Sequence, residues 1–314
     1  MDMVAAARQA GADYVKFQAF RAHEISAPGA STAPYQQRNS GMDDQLSLLR
    51  GLELSLDDLG VLAKACRSAG IRFLCTPFDR AMTPALIDMG MDRIKIPSGE
   101  LTNTPALKYF GGLGLPVLLS TGMATLDEVS RAAATLRDAG AEDITLLHCT
   151  SLYPAPYDSI NLRAMITMGG HLGLPVGYSD HSLGDHVAVA AVALGAVAIE
   201  KHFTLDRSLP GPDHQASLEP DELAALLRKC RETAVALGDG VKRPAAGEAE
   251  TAALVRRSWH ARRDMPAGTM LADSDVALQR PADGLPPDVC PFGRRLERAV
   301  AAGDALRAED LAPA

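Results

Sequence analysis

The chain has 314 residues, a formal net charge of −8 and a pI near 5.5. This length suits one large α/β domain with a small second domain, and 47% hydrophobic residues supply a sizeable core. The acidic balance argues against nucleic acid as the main partner. It does not exclude an anionic substrate, because anion binding depends on local charge.

No apolar stretch reaches the length of a transmembrane helix and no signal peptide is recognisable, so we expect a cytoplasmic protein without a membrane partner. The five cysteines are odd in number and show no metal-ligand spacing. We interpret them as reduced, mostly buried thiols. They are Cys66, Cys75, Cys149, Cys230 and Cys290.

Seven short apolar segments in the first two-thirds of the chain predict strands, and each ends in a cluster of polar residues. Continuous apolar runs are typical of strands buried in a parallel sheet. Polar clusters at the carboxyl ends are typical of active sites in βα-barrels, so the pattern indicates an enzyme. The predicted strands are 13–18, 71–78, 93–99, 116–122, 143–150, 175–181 and 197–204.

Helical segments alternate with these strands. Segments 55–69, 125–139 and 219–237 have acidic residues in their first turns and end before a glycine, as helix termini do. Alternation at intervals of about 20 to 30 residues predicts a parallel α/β sheet. The polar segment 21–50 is longer than a usual connection and predicts an elaborated loop over the mouth of the site.

The composition changes near residue 242, where a stretch rich in Pro, Ala, Gly and Glu begins. Beyond it, segments 267–276 and 302–311 both fit Ala-Gly-x-x-Leu-x-x-x-Asp-apolar. Each copy predicts a glycine turn, a short strand and a one-turn helix. We therefore predict an α/β domain over 1–241, a linker over 242–254, and a pseudo-symmetric β-rich domain over 255–314.

The strand count is one short of a closed barrel. A (β/α)8-type TIM barrel has eight parallel strands, and an open sheet leaves two unpaired edges. Residues 1–11 resemble the second half of an amphipathic helix. We expect a TIM barrel missing its N-terminal strand and half a helix; a natural seven-stranded variant is the alternative.

Two lysines lie among apolar residues near the predicted strand ends. Lys16 stands in Val-Lys-Phe-Gln and Lys95 in Ile-Lys-Ile-Pro-Ser-Gly. A buried ammonium needs an anionic partner or a lowered pKa. Nearby hydroxyls beside glycines can help surround a phosphate, and we predict a phosphate or carboxylate site, with an ion pair sealing the barrel end as the alternative. These hydroxyls belong to Ser98, Ser120, Thr121 and Ser179.

His181 and His202 end the last two predicted strands. Imidazoles from adjacent strand ends can share a divalent metal that keeps positions for water and substrate. Glu200, two residues from His202, shares its face of the strand and would tune or extend that site. We predict a metal on the two histidines, with buried hydrogen-bonded histidines as the alternative. For His148 we favour a wall residue over a third ligand.

Two proline-stiffened loops and one arginine complete the set of candidates. Loop 210–214 carries Asp213, for which a ligand contact and a plain turn are equally good interpretations. Loop 153–157 carries Tyr153 and is expected to line the mouth of the site. Arg280, in the second domain, is a lone arginine that composition does not single out.

These motifs resemble the sialic acid synthase family, which are phosphoenolpyruvate-condensing barrels with a C-terminal antifreeze-like (SAF) domain. The resemblance covers nearly the whole chain. Its motifs are Gly-Ala-Asp-Tyr-Val-Lys-Phe-Gln (11–18), Thr-Pro-Phe (76–78), Lys-Ile-Pro-Ser-Gly-Glu (95–100), Leu-Ser-Thr-Gly-Met (119–123), Leu-His-Cys-Thr (147–150), Tyr-Pro-Ala-Pro (153–156), Gly-Tyr-Ser-Asp-His-Ser-Leu (177–183), Glu-Lys-His-Phe (200–203) and Pro-Gly-Pro-Asp (210–213).

The resemblance implies a role for each candidate. His181 and His202 would bind Mn²⁺ or Mg²⁺. Tyr153 would meet an N-acetylated hexosamine, and Arg280 would reach its N-acetyl group from the SAF domain of the other subunit in a domain-swapped homodimer. Asp213 would also contact this sugar. The implied catalytic residues are His181, His202, Lys95 and Asp213. The implied phosphoenolpyruvate contacts are Lys16, Thr76, Lys95, Ser98, Ser120, Ser151 and Ser179.

The implied reaction joins phosphoenolpyruvate to an N-acetylmannosamine-type sugar, giving a nine-carbon sialic acid and phosphate. C3 of phosphoenolpyruvate would attack the aldehyde, polarised by the metal, and water would add at C2. Family members carry an earlier strand ending in a Glu and an Asn-His-x-Gly motif; this chain begins after both, which leaves its activity open. The alternatives are a legionaminate, pseudaminate or spore-coat nonulosonate synthase, a Schiff-base aldolase using Lys95 or Lys201, and an inactive sugar-binding relic.

Overall fold

Seven parallel strands build the first part of the chain, and each overlaps a predicted segment. β1 and β2 pair with each other, and β3 to β7 form one sheet in which every strand pairs with the next along the chain. Because all the strands are parallel, their carboxyl ends lie along the same edge of each sheet. The strands are β1 (Tyr14–Ala19), β2 (Arg72–Pro77), β3 (Ile94–Ile96), β4 (Val117–Ser120), β5 (Ile144–Cys149), β6 (Val176–Asp180) and β7 (Ile199–Lys201).

The computed structural model describes residues 2–313 and divides between Gly238 and Asp239 into two compact units. Met1 and Ala314, the outer ends of the two predicted domains, lie outside the described residues. The α/β class with a parallel sheet is confirmed. The eight-stranded barrel that lacks its first strand stays a prediction.

Helices lie between the strands, and the sequence explains where the longest ones begin. Ser55 and Thr125 each accept a hydrogen bond from the backbone three residues later, which caps the helices that follow them. Three short helices occupy the long connection predicted as a loop over 21–50.

The helices of the first unit are α1 (Asp2–Ala10), α2 (Ala22–Ile25), α3 (Pro34–Ser40), α4 (Gln45–Arg50), α5 (Leu56–Ala69), α6 (Thr83–Asp88), α7 (Thr104–Gly111), α8 (Leu126–Asp138), α9 (Arg163–Leu172), α10 (His186–Ala193) and α11 (Pro220–Leu237). Across residues 2–313, none of the helices has the length and apolar character that crossing a membrane requires.

The core of the first unit is aliphatic, as the aromatic content of 4% leads one to expect. Apolar side chains of the strands pack against those of the surrounding helices in one large cluster. This packing leaves the polar residues at the carboxyl ends of the strands as the chemically distinctive part of the unit. Fully buried members of the core include Leu59, Leu86, Ile94, Leu119 and Leu136.

The second unit contains α12 (Glu248–Val255), which lies mostly within the predicted linker, and two antiparallel strands, β8 (Ser258–Ala261) and β9 (Val276–Gln279). Each repeat begins with a glycine turn, at Gly268 and Gly303, where φ is 84° and 90°. Each ends in a one-turn 3₁₀-helix, over Asp273–Asp275 and Ala308–Asp310. The turns and one-turn helices predicted from the repeated motif are therefore present.

The two repeats are related by a pseudo-two-fold axis. Corresponding positions of the two repeats are 35 residues apart, so Met265 corresponds to Val300. These two corresponding residues form a β-bridge with each other. With the same offset, His260 corresponds to Arg295 and Met270 corresponds to Ala305. The bridge His260–Ala305 is therefore the symmetry equivalent of the bridge Met270–Arg295. A residue that pairs with its own counterpart lies beside the axis, so the repeats form a small intramolecular dimer.

Truncating the core of the second unit should unfold it selectively. Leu306 is fully buried there, and the chain's single tryptophan, Trp259, lies in the same unit. We expect Leu306→Ala to lower the free energy of unfolding of this unit by about 2–5 kcal/mol. Met270→Ala, at an exposed position in the same unit, should change it by less than about 0.5 kcal/mol. Tryptophan fluorescence during urea unfolding measures both, and equal midpoints would contradict the assigned core.

Candidate active site at the carboxyl ends of the strands

Two lysines and one glutamate meet from within β1, β3 and β7, next to the carboxyl ends of the strands. Lys95 is 3% exposed; its Nζ donates to Ser120 Oγ at 2.8 Å and lies 3.5 Å from Glu200 Oε2. Lys16 Nζ lies 3.4 Å from the other carboxylate oxygen of Glu200. Glu200, predicted to tune or extend a metal site, instead bridges the two ammonium groups.

The charges in this cluster are strongly coupled. Burial alone would raise the pKa of Glu200, but the ammonium groups of Lys95 and Lys16 outweigh it and bring that pKa to about 2. Burial lowers the pKa of Lys95, and Glu200 opposes this effect. Two lysines facing one carboxylate provide an excess of positive charge that an anionic substrate can neutralise.

Hydroxyl groups surround a backbone N–H beside the lysines. Ser98 Oγ accepts a hydrogen bond from Gly122 N–H at 2.9 Å. A Cβ added to Gly122 would lie 2.8 Å from Ser98 Oγ and closer still to Ser151 Oγ, so only glycine allows this approach. Thr76 Oγ1 is buried and finds no hydrogen-bond partner among the described residues. A buried hydroxyl without a partner, beside a glycine that leaves room for close approach, is suited to bind ligand oxygens.

Two imidazoles stand at the same edge of the sheet, with the ring centroids of His181 and His202 5.3 Å apart. His181 Nδ1 lies 2.9 Å from the carbonyl oxygen of Thr150, to which it donates its proton. In the neutral form of this ring, Nε2 keeps a lone pair. Burial lowers the pKa of His181, but Cys149, the Thr150 carbonyl and Glu200 outweigh it, so the net pKa is above its usual value. Burial, reinforced by the positive charges of His181 and Lys16, lowers the pKa of His202 to about 3. The His202 ring is neutral at neutral pH and can act as a ligand.

These two rings fit a shared divalent cation, since unprotonated imidazole nitrogens from adjacent strand ends can bind one metal. His202 Nδ1 lies 3.8 Å from Asp213 Oδ2, while Asp213 Oδ1 is buried without a partner among the described residues. Within residues 2–313 no group of three or more His, Cys, Asp or Glu side chains has a metal-binding arrangement. Two protein ligands would thus leave the other coordination positions to water and substrate oxygens.

An aromatic wall borders the histidines. The ring of Tyr153 lies 4.2 Å from that of His181 and 5.7 Å from that of His202. Tyr35, from α3, stacks on Tyr153 with centroids 4.7 Å apart. Sequence reasoning missed Tyr35, because nothing but its place in the long segment 21–50 connects it with the strand ends.

Cys149 joins the two halves of the site, although the sequence indicated only a buried thiol. Its Sγ lies 3.6 Å from Ser98 Oγ and 3.7 Å from His181 Nδ1. Burial raises the pKa of this thiol, but His181, Ser98 and Lys95 lower it by more, so the net pKa is below the usual value. Because the sulfur lies next to both Ser98 and His181, the hydroxyl cluster and the histidine pair belong to one connected pocket.

Other predicted candidates of the first unit lie outside this pocket or at its border. His148 Nε2 bonds to Ile160 O at 2.7 Å and its ring stacks near Tyr178, which is the position of a wall residue. Thr121 Oγ1 donates to Leu147 O and so points to the backbone. Ser179 pairs in register with Glu200 on β7. Arg280 is exposed in the second unit.

Lys201 takes part in a fully buried ion pair. Its Nζ lies 2.8 Å from Asp180 Oδ2, and the two side chains are 3% and 0% exposed. The other oxygen of Asp180 accepts from both the backbone N–H and the hydroxyl of Ser182. Since this ammonium is already fully engaged, Lys201 is a poor candidate for a Schiff-base lysine.

Removing one member of this pair should destabilise the first unit strongly. We expect Lys201→Met to lower its free energy of unfolding by about 3–5 kcal/mol, because the Asp180 carboxylate is left buried and unpaired. Lys229→Met, which breaks an exposed pair with Asp185, should cost less than about 1 kcal/mol. Circular dichroism during urea unfolding reports this unit, which carries α1–α11.

The double variant Asp180→Asn with Lys201→Met separates the two possible causes of that loss. It should recover much of the stability, since no unpaired charge then remains buried. A double variant as unstable as Lys201→Met alone would show that the lost stability comes from something other than the orphaned carboxylate.

Comparisons with known proteins identify the family of both units. Residues 3–242 match the NeuB family and residues 256–312 match the SAF domain. The chain is 43% identical to the N,N'-diacetyllegionaminic acid synthases of Legionella pneumophila and Campylobacter jejuni, covering 99% and 90% of this chain and 89% and 86% of those proteins.

A crystal structure of N-acetylneuraminic acid (sialic acid) synthetase from Leptospira borgpetersenii, in complex with citrate, superimposes with a TM-score of 0.70 at 33% identity. The match covers 80% of this chain and 83% of that one. The chain therefore belongs to the NeuB family, the family of sialic acid synthases, and carries a SAF domain at its C-terminal end.

Proposed function

We propose that this protein is a nonulosonate synthase, which condenses phosphoenolpyruvate with an N-acylated six-carbon sugar and releases phosphate. The observation that carries the proposal is one cluster of side chains, in which two lysines bridged by Glu200 lie in the same site as two neighbouring histidines. The first group suits an anion and the second suits a cation that binds carbonyl oxygen. The names of the relatives with 43% identity support the same reaction class.

Phosphoenolpyruvate would bind at the lysine and hydroxyl cluster. Lys16 and Lys95 would exchange their contacts with Glu200 for the phosphate and carboxylate groups, which carry more negative charge. The Gly122 N–H and the hydroxyls of Ser98 and Thr76 would complete the hydrogen bonds. These contacts would hold the enol carbon, C3, in a fixed direction, so the protein would contribute mainly orientation and charge stabilisation. Ser120, Ser151 and Ser179 border the same space.

The sugar would lie on the histidine side. A divalent cation held by His181 and His202, Mn²⁺ or Mg²⁺, would supply Lewis-acid polarisation of the carbonyl. Burial raises the pKa of Asp213 above its usual value. Its unpartnered Oδ1 is therefore suited to bind a sugar hydroxyl and to hold a proton. Tyr153 would pack against the sugar beside the two histidines.

One specific observation favours a second acceptor. Two relatives that are each 43% identical are synthases of N,N'-diacetyllegionaminic acid, whereas the human and Drosophila N-acetylneuraminate-9-phosphate synthases are 33% and 36% identical. A six-carbon sugar with two acetamido groups is therefore the alternative to N-acetylmannosamine. Comparing phosphate release with each sugar would decide between them.

Loss of His202 should abolish metal-dependent turnover. We expect His202→Ala to lower the rate of phosphate release by at least about 100-fold. Even mutating a residue that only hydrogen-bonds to a metal ligand lowers metal affinity or activity by about 10- to 100-fold. Chelation by EDTA should have the same effect on the unaltered protein, with recovery on adding Mn²⁺. His171→Ala, at an exposed position in α9, is the matched control. Unchanged release by His202→Ala would remove this histidine from the mechanism.

The proposal extends to a domain-swapped homodimer in which Arg280 of one subunit completes the site of the other. We expect Arg280→Ala to raise the KM for the sugar by about 10- to 100-fold, the cost of a lost hydrogen bond to a charged group. Mixing the His202→Ala and Arg280→Ala chains should then restore activity, because one site of each mixed dimer receives both intact residues. A mixture whose sugar KM stays as high as that of Arg280→Ala alone would show that each chain uses its own arginine, and an unchanged KM in Arg280→Ala itself would remove this arginine from the site.

A further inference from the structure

Helix α3 is attached to the rim of the site at two points. At its start, the Tyr35 ring stacks on Tyr153 at an interplanar angle of 25°. At its end, Asn39 Nδ2 donates to the carbonyl oxygen of Pro212 at 2.6 Å. Pro212 directly precedes Asp213, so both points lie on loops that carry proposed sugar contacts.

Tyr35 also faces the carboxylate of this loop. Burial raises the pKa of its phenol, and the negative charge of Asp213 raises it further. A half-buried phenol that stays protonated presents an apolar ring and one hydroxyl donor beside a carboxylate. No contact described for phosphoenolpyruvate involves this side chain.

We propose that α3 covers the acceptor side of the site and that Tyr35 is a specificity-determining residue for the sugar. Its ring extends the row Tyr153, His181 and His202 into one continuous aromatic wall. The proposal rests on the function proposed above, because it assumes that the acceptor is a sugar with N-acyl groups.

The two sides of the pocket explain why an aromatic wall suits the acceptor. Lys16 and Lys95 present charge that an anion neutralises, whereas the tyrosine rings offer apolar area. An N-acylated sugar is uncharged and carries C–H faces and methyl groups, which remove apolar area from water when they pack on aromatic rings. Each additional acyl group increases the surface that Tyr35 can cover.

The test compares the KM values of the two substrates in three variants. We expect Tyr35→Ala to raise the KM for N-acetylmannosamine about 10-fold and to leave the KM for phosphoenolpyruvate within about 2-fold. Tyr35→Phe should retain both values, since the ring does the packing. The control is Tyr109→Ala, in α7, whose hydroxyl bonds to Arg80 O and which should change neither KM. Equal increases for both substrates in Tyr35→Ala, or an unchanged sugar KM, would overturn the proposal.

Saturation-transfer NMR with N-acetylmannosamine or its diacetamido analogue separates this inference from the proposed function. Binding that is lost in Tyr35→Ala, with no phosphate release by the unaltered protein, would support the aromatic wall and refute the synthase reaction. Phosphate release by the unaltered protein, together with a sugar KM that Tyr35→Ala leaves unchanged, would support the synthase reaction and refute the aromatic wall. The absence of both binding and release in the unaltered protein would refute both.

Discussion

The buried pair of Asp180 and Lys201 is the constraint on which the site depends. The two residues are opposite each other in the register of β6 and β7, and each is followed in the chain by a proposed metal ligand. A shift of one residue would turn Glu200 and His202 away from the pocket and would leave a charge buried without a partner. A pair of this kind adds little net stability compared with apolar side chains, but it specifies one register.

The site that this register assembles has two chemically different sides. One is cationic, with Lys16 and Lys95 held by Glu200; the other is aromatic, with two imidazoles beside tyrosine rings. Cys149 lies between them. The proposed condensation of a highly charged three-carbon acid with a neutral sugar would use this division, because each substrate would bind on the side that complements its charge.

The sequence predicts the parts of this site that belong to strands. Residues at strand ends, such as Lys95 and His202, can be placed together because parallel strands share one edge. The partners of these residues cannot be predicted in the same way. From the sequence, the Glu200 side chain could equally have faced a metal. Tyr35 is more than one hundred residues away from Tyr153 in the chain, and it reaches that ring from a helix that the sequence indicated only as a loop. Such contacts depend on side-chain direction and loop path, which periodicity does not determine.

The symmetry of the second unit bears on its ancestry. Because Met265 pairs with Val300 at the axis, the interface between the repeats has the self-complementary form of a contact between two identical chains. A gene for one such half, encoding a peptide that assembled in pairs, could be duplicated and joined end to end without forming any new contact. The tandem copy would then tolerate divergence in one half at a time.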